Sequence, residues 1–246
     1  MIDRLLELQR RGGRAVLFTV VEGAQVGAKL LVVEDGDTTG DGPAELAVHV
    51  HELLRAGRSR TLELEDLKVF CEVYGPPPRL LVYGAVDTAE ALCRAAKLLG
   101  WTTIVADARA KFATAERIPS ADELLVAWPE EAIAQVAPDH STAVVVLTHD
   151  DKFDVPALKS ALQTEAFYIG ALGSRRNQER RRERLAEAGV DAAAFARIAG
   201  PCGLDVGADS NEETALSILA EALAVRAGRS GGRLRESKQR IHVEVE

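Results

Sequence analysis

The sequence predicts an α/β protein: a doubly wound, parallel, Rossmann-like sheet with a small N-terminal α+β domain. In the second half of the chain, short continuous apolar runs alternate with helical patterns. That alternation is typical of buried parallel strands covered by helices on both faces. The first half shows two strands and one helix before a run of three prolines. A chain of 246 residues is also long enough to bury a sizeable core in one or two domains.

The three prolines at residues 76–78 predict the domain boundary, because they can continue neither a helix nor a central strand. We therefore expect a small N-terminal domain over residues 1–75 and a Rossmann-like domain over residues 76–228. Residues 229–246 are rich in Gly and Arg and predict a mobile tail.

The hydrophobic pattern predicts the individual elements. In the first domain we expect strands at residues 15–21 and 29–33, and a helix at 44–56 that stops at Gly57. The second domain has five predicted strands, at residues 80–83, 103–106, 124–127, 143–147 and 167–169. Its predicted helices lie at residues 88–99, 155–162 and, after capping side chains at 209–211, from there to 227.

Composition and charge exclude several classes of protein. The net charge of −8 argues against a nucleic acid partner, since such proteins usually show a dominant basic face. No apolar run approaches the roughly 18 residues that a membrane span needs, and the charged N-terminus does not resemble a signal peptide. Cys71, Cys93 and Cys202 are widely spaced, as in proteins with reduced thiols. We expect a cytoplasmic protein.

Ligands of a doubly wound sheet bind beyond the carboxyl ends of its strands, so the residues that follow each predicted strand are the candidate functional residues. Gly84 follows the first strand and begins a turn similar to the dinucleotide fingerprint G-x-G-x-x-G/A. However, Val86 takes the place of the second glycine, and Asp87 puts a negative charge where phosphates would lie. Asp107 ends the second strand, where a ribose-binding carboxylate would be, with a structural hydrogen-bonding role as the alternative. The pattern disfavours NAD(P) without excluding it.

The fourth strand is followed by a dense titratable cluster that begins with His149 and Asp150. Such a cluster could serve proton transfer, ligand binding or metal binding, because histidine titrates near neutral pH. The alternative is that the carboxylates shape the turn and that Asp154 caps the following helix.

Two further loops contain candidate functional residues. Gly173, Ser174 and Arg175 follow the fifth strand at a helix start, where glycine, hydroxyl and guanidinium form an anion cradle. The arginines at residues 180–184 are interpreted as a solvated helix face. The glycine-punctuated loop at residues 200–208 predicts a functional bend. It also holds Cys202, a weak candidate metal ligand because a lone thiol is more often a packing residue.

Several motifs of the second half occur together in one order. They are residues 76–79, 107–109, 112–113, 117–119, 148–150, 168–175 and 203–208, followed by Glu213, Ser217 and Glu221. Over roughly residues 76–230, this set resembles the XdhC/CoxI family of molybdenum-hydroxylase maturation factors. The resemblance implies an N-terminal domain followed by a Rossmann domain.

The resemblance also implies a function. It implies a chaperone, not an enzyme, that binds molybdenum cofactor as molybdopterin or as a dinucleotide form. Such a protein supports sulfuration of the cofactor with a cysteine desulfurase and delivers it to a xanthine dehydrogenase-type or CO dehydrogenase-type apoenzyme. A homodimer is a further expectation.

The resemblance assigns roles to the candidate residues. Residues 173–175 would receive the phosphate of the cofactor, while His149, Asp150 and Asp205 would line its pterin or molybdenum end. The remaining candidate cofactor-binding residues at the same edge are Gly84, Asp107 and Gly203.

The N-terminal part departs from the family's pattern. Family members usually carry a Gly-Gly-Cys segment followed by Glu, and later a Cys-Gly-Gly segment. Here residues 40–45 contain no cysteine, Cys71 is not followed by glycine, and the front half is short. Two alternatives therefore stand beside the cofactor chaperone. One is an NAD(P)-dependent oxidoreductase, suggested by the fold and Asp107, and the other is a degenerate paralogue that acts as a scaffold or regulator.

Overall fold

The computed structural model describes residues 1–238 and contains two compact units. The second unit is Pro77–Gly231, and the first comprises Met1–Pro76 with the described part of the segment from Gly232 onward. The predicted tail thus contributes to both units and contains a short 3-10 helix at Leu234–Glu236. Its last residues, 239–246, lie outside the described part of the chain.

The first unit is built on a five-stranded antiparallel sheet. Its strands are β1 (Ala15–Gly23), β2 (Lys29–Val33), β3 (Thr38–Gly40), β4 (Arg60–Glu63) and β5 (Leu67–Tyr74), in the spatial order β3-β2-β1-β5-β4. Its helices are α1 (Ile2–Arg10) and α2 (Val50–Ala56), the latter preceded by a 3-10 helix at Ala44–His49. The predicted helix at 44–56 is therefore two joined segments, and it ends at Gly57, whose φ of 60° lies in the left-handed region.

The core of the first unit lies between this sheet and α2. Val16, Phe18 and Val20 alternate along β1 and are buried. They pack in the same cluster as Leu53 and Leu54 of α2. Each fully buried side chain of this size contributes about 1.5–3 kcal/mol relative to exposure, so this contact holds the helix on the sheet.

The second unit is built on a six-stranded parallel sheet. Its strands are β6 (Arg79–Tyr83), β7 (Thr102–Asp107), β8 (Glu123–Val126), β9 (Thr142–Val146), β10 (Tyr168–Ala171) and β11 (Ile198–Ala199). Its helices are α3 (Asp87–Leu98), α4 (Pro129–Val136), α5 (Asp151–Leu162), α6 (Arg175–Glu187), α7 (Ala192–Phe195) and α8 (Asn211–Arg226). No helix within residues 1–238 is both long enough and apolar enough to span a bilayer.

The strand order confirms the predicted doubly wound fold. The order is β11-β10-β9-β6-β7-β8, and every neighbouring pair is parallel. The first strand, β6, is therefore central, with later strands added on both sides. The winding reverses between β6 and β9, and in such sheets the ligand crevice opens at this reversal.

Both faces of the parallel sheet are covered. Leu81 and Tyr83 of β6 belong to the core that contains residues of α4 and α5. Leu80 and Val82 alternate with them and belong to the core that contains residues of α3 and α8. Because successive strand side chains point to opposite faces, a strand buried on both sides reads as a continuous apolar run.

Candidate functional site

The loops after β6 and β9 meet at the point where the winding reverses. Gly84 follows β6 with a φ of 111°, which favours glycine. A Cβ atom at Gly84 would lie 3.0 Å from Cγ2 of Thr148 and 3.3 Å from its backbone nitrogen. Conformation and close approach thus both require glycine here. This contact places the residues that follow Thr148 beside the central strand.

Asp107, at the end of β7, is tied to the neighbouring loop. Its side chain is almost fully buried, and its Oδ2 accepts the backbone N–H of Ala85 at 3.0 Å. Its Oδ1 accepts Nε of Arg109 at 2.9 Å, and its Oδ2 accepts Nη2 of Arg109 at 2.8 Å. Burial raises the pKa of Asp107, but the hydrogen bonds from Arg109 and Ala85 outweigh it and hold the pKa below its ordinary value. The carboxylate therefore bonds to groups of the chain itself, as expected for the structural hydrogen-bonding role that was the alternative to ribose binding.

The loop after β9 presents His149 and Asp150 on the surface. Asp150 is the N-cap of α5, because its Oδ1 accepts the backbone N–H of Lys152 at 3.2 Å. Lys152 Nζ also lies 3.4 Å from Asp150 Oδ2. The prediction that Asp154 caps this helix is wrong. The helix begins earlier than the apolar pattern suggested, and Asp154 is 4% exposed.

Asp154 belongs to a buried ion pair with Arg181, which is also 4% exposed. Arg181 Nη2 donates to Asp154 Oδ2 at 2.8 Å and to the carbonyl oxygen of Leu172 at 3.1 Å. The hydroxyl of Thr148 donates to the other carboxylate oxygen of Asp154. Desolvation raises the pKa of Asp154. This pair joins α5 and α6 to the loops after β9 and β10.

The interpretation of residues 180–184 as a solvated helix face is therefore wrong for Arg181. The sequence signal was Leu185, which lies one turn further along the same face of α6 and is fully buried. An arginine four residues before a buried leucine points towards the core. Its burial is compatible with the fold only because a carboxylate and a carbonyl oxygen are available to it.

The loop after β10 leads into α6. Ser174 is the N-cap, and its Oγ accepts the backbone N–H of Asn177 at 3.2 Å. Gly173 has a φ of 149°. Arg175 and Arg176 are exposed, and within residues 1–238 neither has an ion-pair partner. Their backbone N–H groups have no helical acceptor at this end of the helix, where the dipole is positive. The arrangement suits an anion.

The loop after β11 lies beside the end of β10. The backbone N–H of Cys202 donates to the carbonyl oxygen of Ala171 at 3.1 Å. Burial raises the pKa of the Cys202 thiol to about 12, with the charge of Glu221 adding to the effect. The thiol is therefore protonated at neutral pH and supplies no ready thiolate. Within residues 1–238, no group of three or more His, Cys, Asp or Glu side chains is placed to hold a metal ion.

Gly203 is fixed by α8. Its backbone N–H donates to Glu221 Oε2 at 2.8 Å, and the same oxygen accepts the hydroxyl of Tyr168 at 2.5 Å. A Cβ atom at Gly203 would lie 2.5 Å from Oγ of Ser217, so only glycine fits there. The sequence motif of Glu213, Ser217 and Glu221 thus has two members that hold this loop. Asp205, two residues on, is exposed.

The second unit matches a known protein family. The family model described as the XdhC Rossmann domain matches residues 80–222, which are more than half of the chain. The chain belongs to the XdhC family. The match covers every strand-end loop of the parallel sheet described above.

Individual relatives in the XdhC family agree with this assignment. A probable xanthine dehydrogenase subunit from Bacillus subtilis is 32% identical over 162 residues, covering 66% of this chain and 47% of that protein. The molybdenum cofactor insertion chaperone PaoD of Escherichia coli is 31% identical over 153 residues, covering 62% of this chain and 42% of that protein. The chain thus spans less than half the length of these curated relatives.

A solved structure supports the fold. The chain resembles a crystal structure described as a xanthine dehydrogenase from Bacillus halodurans, with a TM-score of 0.68 and 24% identity. The alignment covers 91% of this chain and 65% of that one. At this low identity, the similarity shows the fold alone.

In this XdhC-family chain, the structure brings some of the candidate residues together. Gly84 contacts Thr148, next to His149, and Asp107 bonds to the residue after Gly84. The loop of Gly203 is joined to β10 through Cys202. Arg175 and Asp205 are exposed, and within residues 1–238 neither side chain makes a hydrogen bond or ion pair to another candidate residue.

Proposed function

We propose that the chain is a molybdenum cofactor-binding chaperone, not an enzyme. It assists sulfuration of the cofactor and its insertion into a xanthine dehydrogenase-type or CO dehydrogenase-type molybdenum hydroxylase. The observation that carries the proposal is the pair of neighbouring loops after β9 and β10. One presents His149 and Asp150, and the other leads into α6, whose first two backbone N–H groups have no helical acceptor.

The residues of these loops fit such a cofactor. Its phosphate matches Arg175 and the free N–H groups at the start of α6. His149, Asp150 and Asp205 are exposed polar groups that can bond to the polar edges of a pterin. When bound, the cofactor supplies the molybdenum centre that the client enzyme needs. The chain itself only binds it, orients it and shields it.

The assembly belongs to the same proposal. Two relatives, one named as a molybdenum cofactor insertion chaperone and one as a probable xanthine dehydrogenase subunit, support a hydroxylase apoenzyme as the client. We further propose a cysteine desulfurase as the sulfur source, a homodimer as the assembly and the cytoplasm as the location. Co-purification with mass spectrometry tests the desulfurase, size measurement of the purified chain tests the homodimer, and cell fractionation tests the location.

Neither alternative gains a supporting observation. An NAD(P)-dependent oxidoreductase needs a free carboxylate for the ribose, but both oxygens of Asp107 are engaged by Arg109 and Ala85. Val86 and Asp87 also remain unfavourable for a pyrophosphate. A scaffold or regulator would bind the partner proteins without any cofactor. Both alternatives are therefore outcomes of the test.

The test is anaerobic titration of the full chain with molybdenum cofactor, with NADPH in parallel. We expect stoichiometric binding of the cofactor. The Arg175→Ala variant should bind at least about tenfold more weakly, because a charge-assisted hydrogen bond contributes about 1.5–3 kcal/mol. The matched control is Arg58→Ala, which removes an exposed arginine from the other unit.

The possible failures are distinct. Unchanged affinity of Arg175→Ala would remove the phosphate assignment while keeping the chaperone. Absence of cofactor binding with retained partner binding would favour the scaffold. Tight NADPH binding without cofactor binding would favour the oxidoreductase.

A further inference from the structure

A continuous group of rings and cations lies at the carboxyl ends of β7, β8 and β9. We call it the aromatic–cation cluster, and its members are Arg109, Lys111, Phe112, Trp128, Lys152 and Phe153. The guanidinium of Arg109 lies 4.0 Å from the ring centroid of Phe112 and 5.7 Å from that of Phe153. Phe153 in turn lies 5.5 Å from Trp128 and has Lys152 Nζ at 4.7 Å. The cofactor proposal does not use this cluster.

The outermost ring of the cluster is exposed, although the backbone that carries it is well held. The side chain of Trp128 is 52% exposed, whereas Phe153 beneath it is 5% exposed. Trp128 is the N-cap of α4, and its backbone N–H donates to Glu131 Oε2 at 3.2 Å. The first helical residue after it is Pro129, which fixes the local backbone. An indole that packs on Phe153 from a rigid helix start offers a flat apolar surface to a ligand.

The cationic part of the cluster is also fixed in orientation. The side chain of Arg109 is held by two hydrogen bonds to Asp107, at 2.9 and 2.8 Å, and remains 39% exposed. A planar guanidinium in a fixed plane stacks on heteroaromatic rings as well as on side chains. Lys111 Nζ lies 5.3 Å from Phe112, and Lys111 has no ion-pair partner within residues 1–238.

We propose that the aromatic–cation cluster is a binding site for the base of a nucleotide. The base stacks on the indole of Trp128 and the guanidinium of Arg109, and the phosphate is attracted by Lys111. The site lies at the ligand-binding edge of a doubly wound sheet, which favours a small ligand over a protein side chain. It uses no free carboxylate and therefore differs from ribose recognition by an aspartate.

The proposal does not depend on cofactor binding at α6. The nucleotide can be free, or it can be the nucleotide part of a larger ligand such as a dinucleotide form of the cofactor. Both sources share the chemistry of a planar base joined to a phosphate. Free mononucleotides therefore test the site by themselves.

The experiment follows tryptophan fluorescence of the full chain during titration with GMP, CMP or AMP. The chain has two tryptophans, and Trp101 is 4% exposed and packed edge-on against Phe167. A base that stacks on Trp128 should quench the exposed indole in a saturable way. Ribose 5-phosphate, which lacks a base, should not quench it.

Variants locate the site by calorimetry, which needs no fluorescent reporter. Trp128→Ala should weaken mononucleotide binding at least about fivefold, as expected for a lost stacking partner. Trp128→Phe keeps a ring and should recover part of that loss. The matched control is Phe70→Ala, which removes another exposed ring, 38% exposed, in the other unit.

Two results would overturn the proposal. One is the absence of mononucleotide binding at millimolar concentration, and the other is equal affinity of Trp128→Ala and the unaltered chain.

Titration with the cofactor, with and without its nucleotide, then identifies the source of the nucleotide. If the form of the cofactor with a nucleotide binds more tightly than the form without one, and Trp128→Ala removes this difference, the ligand is the cofactor. If the two forms bind equally tightly while free mononucleotides bind, the ligand is a free nucleotide. Arg175→Ala should not change mononucleotide binding, so failure here is separable from failure of the cofactor proposal.

Discussion

At the scale of single residues, the most constrained group at the sheet edge is Asp107. It connects two strand-end loops, because it accepts a backbone N–H from Ala85, 22 positions earlier, and the side chain of Arg109. The same carboxylate holds the guanidinium that lies over Phe112. Asp107 thus positions Arg109 and the loop of Ala85 at the ligand-binding edge.

The lowered pKa of Asp107 predicts a pH dependence of stability. A carboxyl group with a folded pKa below its unfolded value stabilises the fold fully above the unfolded pKa, here 3.8. That contribution is lost as the pH falls through the lower, folded pKa. Asp107→Asn should lower the free energy of unfolding at neutral pH by about 1.5–3 kcal/mol, because it removes charge-assisted bonds. The difference in free energy of unfolding between Asp107→Asn and the unaltered chain should shrink as the pH falls below 3.8.

Urea unfolding of both proteins over this acidic range measures the effect. The control is Asp205→Asn, which changes an exposed carboxylate. A deficit of Asp107→Asn that stays constant with pH would show that the ionised form is not what stabilises the fold.

At the scale of secondary structure elements, the pair of Arg181 and Asp154 joins four segments. Arg181 bonds to α5 through Asp154 and to the loop after β10 through the carbonyl oxygen of Leu172. Asp154 accepts from Thr148 in the loop after β9. The two loops of the proposed cofactor site are therefore held by one buried network.

Breaking this pair from one side should be costly. Arg181→Met leaves the buried carboxylate of Asp154 without its cation and should lower the free energy of unfolding by about 3–5 kcal/mol. The double variant Arg181→Met, Asp154→Leu removes both charges and should recover more than about half of that loss. Thermal unfolding of the two variants measures the difference.

The double variant also separates stability from positioning. If the pair positions the two loops, a stable double variant should still bind cofactor more weakly than the unaltered chain. Arg182→Met is the matched control in the same helix, since Arg182 is exposed and lies 5.0 Å from the ring of Phe195. Full affinity in the stable double variant would limit the network to a structural role.

At the scale of the whole molecule, each compact unit has its own hydrophobic core. The core of the first unit contains Leu53, and one of the two cores of the second unit contains Leu158. Both side chains are fully buried. Each core is closed within its unit's own sheet and helices.

Separate cores predict local effects of core mutations. Leu53→Ala and Leu158→Ala should each cost about 2–5 kcal/mol in their own unit. In hydrogen exchange, Leu53→Ala should speed exchange in β1 and β5 but not in β6 and β9, and Leu158→Ala should do the reverse. Equal acceleration in both units by either variant would contradict the prediction.

Much of the parallel-sheet unit could be predicted because its strands are buried on both faces. The apolar run at 143–147 became β9 at Thr142–Val146, and the run at 80–83 became β6. β5, which lies between β1 and β4, is hard to predict because the exposed Phe70 places a large aromatic ring on its polar face and so obscures the alternation. The short elements α4, α7 and β11 have too few residues for a periodic pattern.

The sequence by itself determined the longer strands and helices of the doubly wound unit and the glycine positions in its strand-end loops. Gly84 and Gly203 have φ angles of 111° and 107°, which are local needs that a residue type can signal. The tertiary structure alone decided which groups meet across the sheet edge. It buried Arg181 against Asp154, 27 positions away, and placed Trp128 over Phe153. Such partners are brought together by strand order and helix packing, and no short-range pattern encodes a contact whose members lie on different elements.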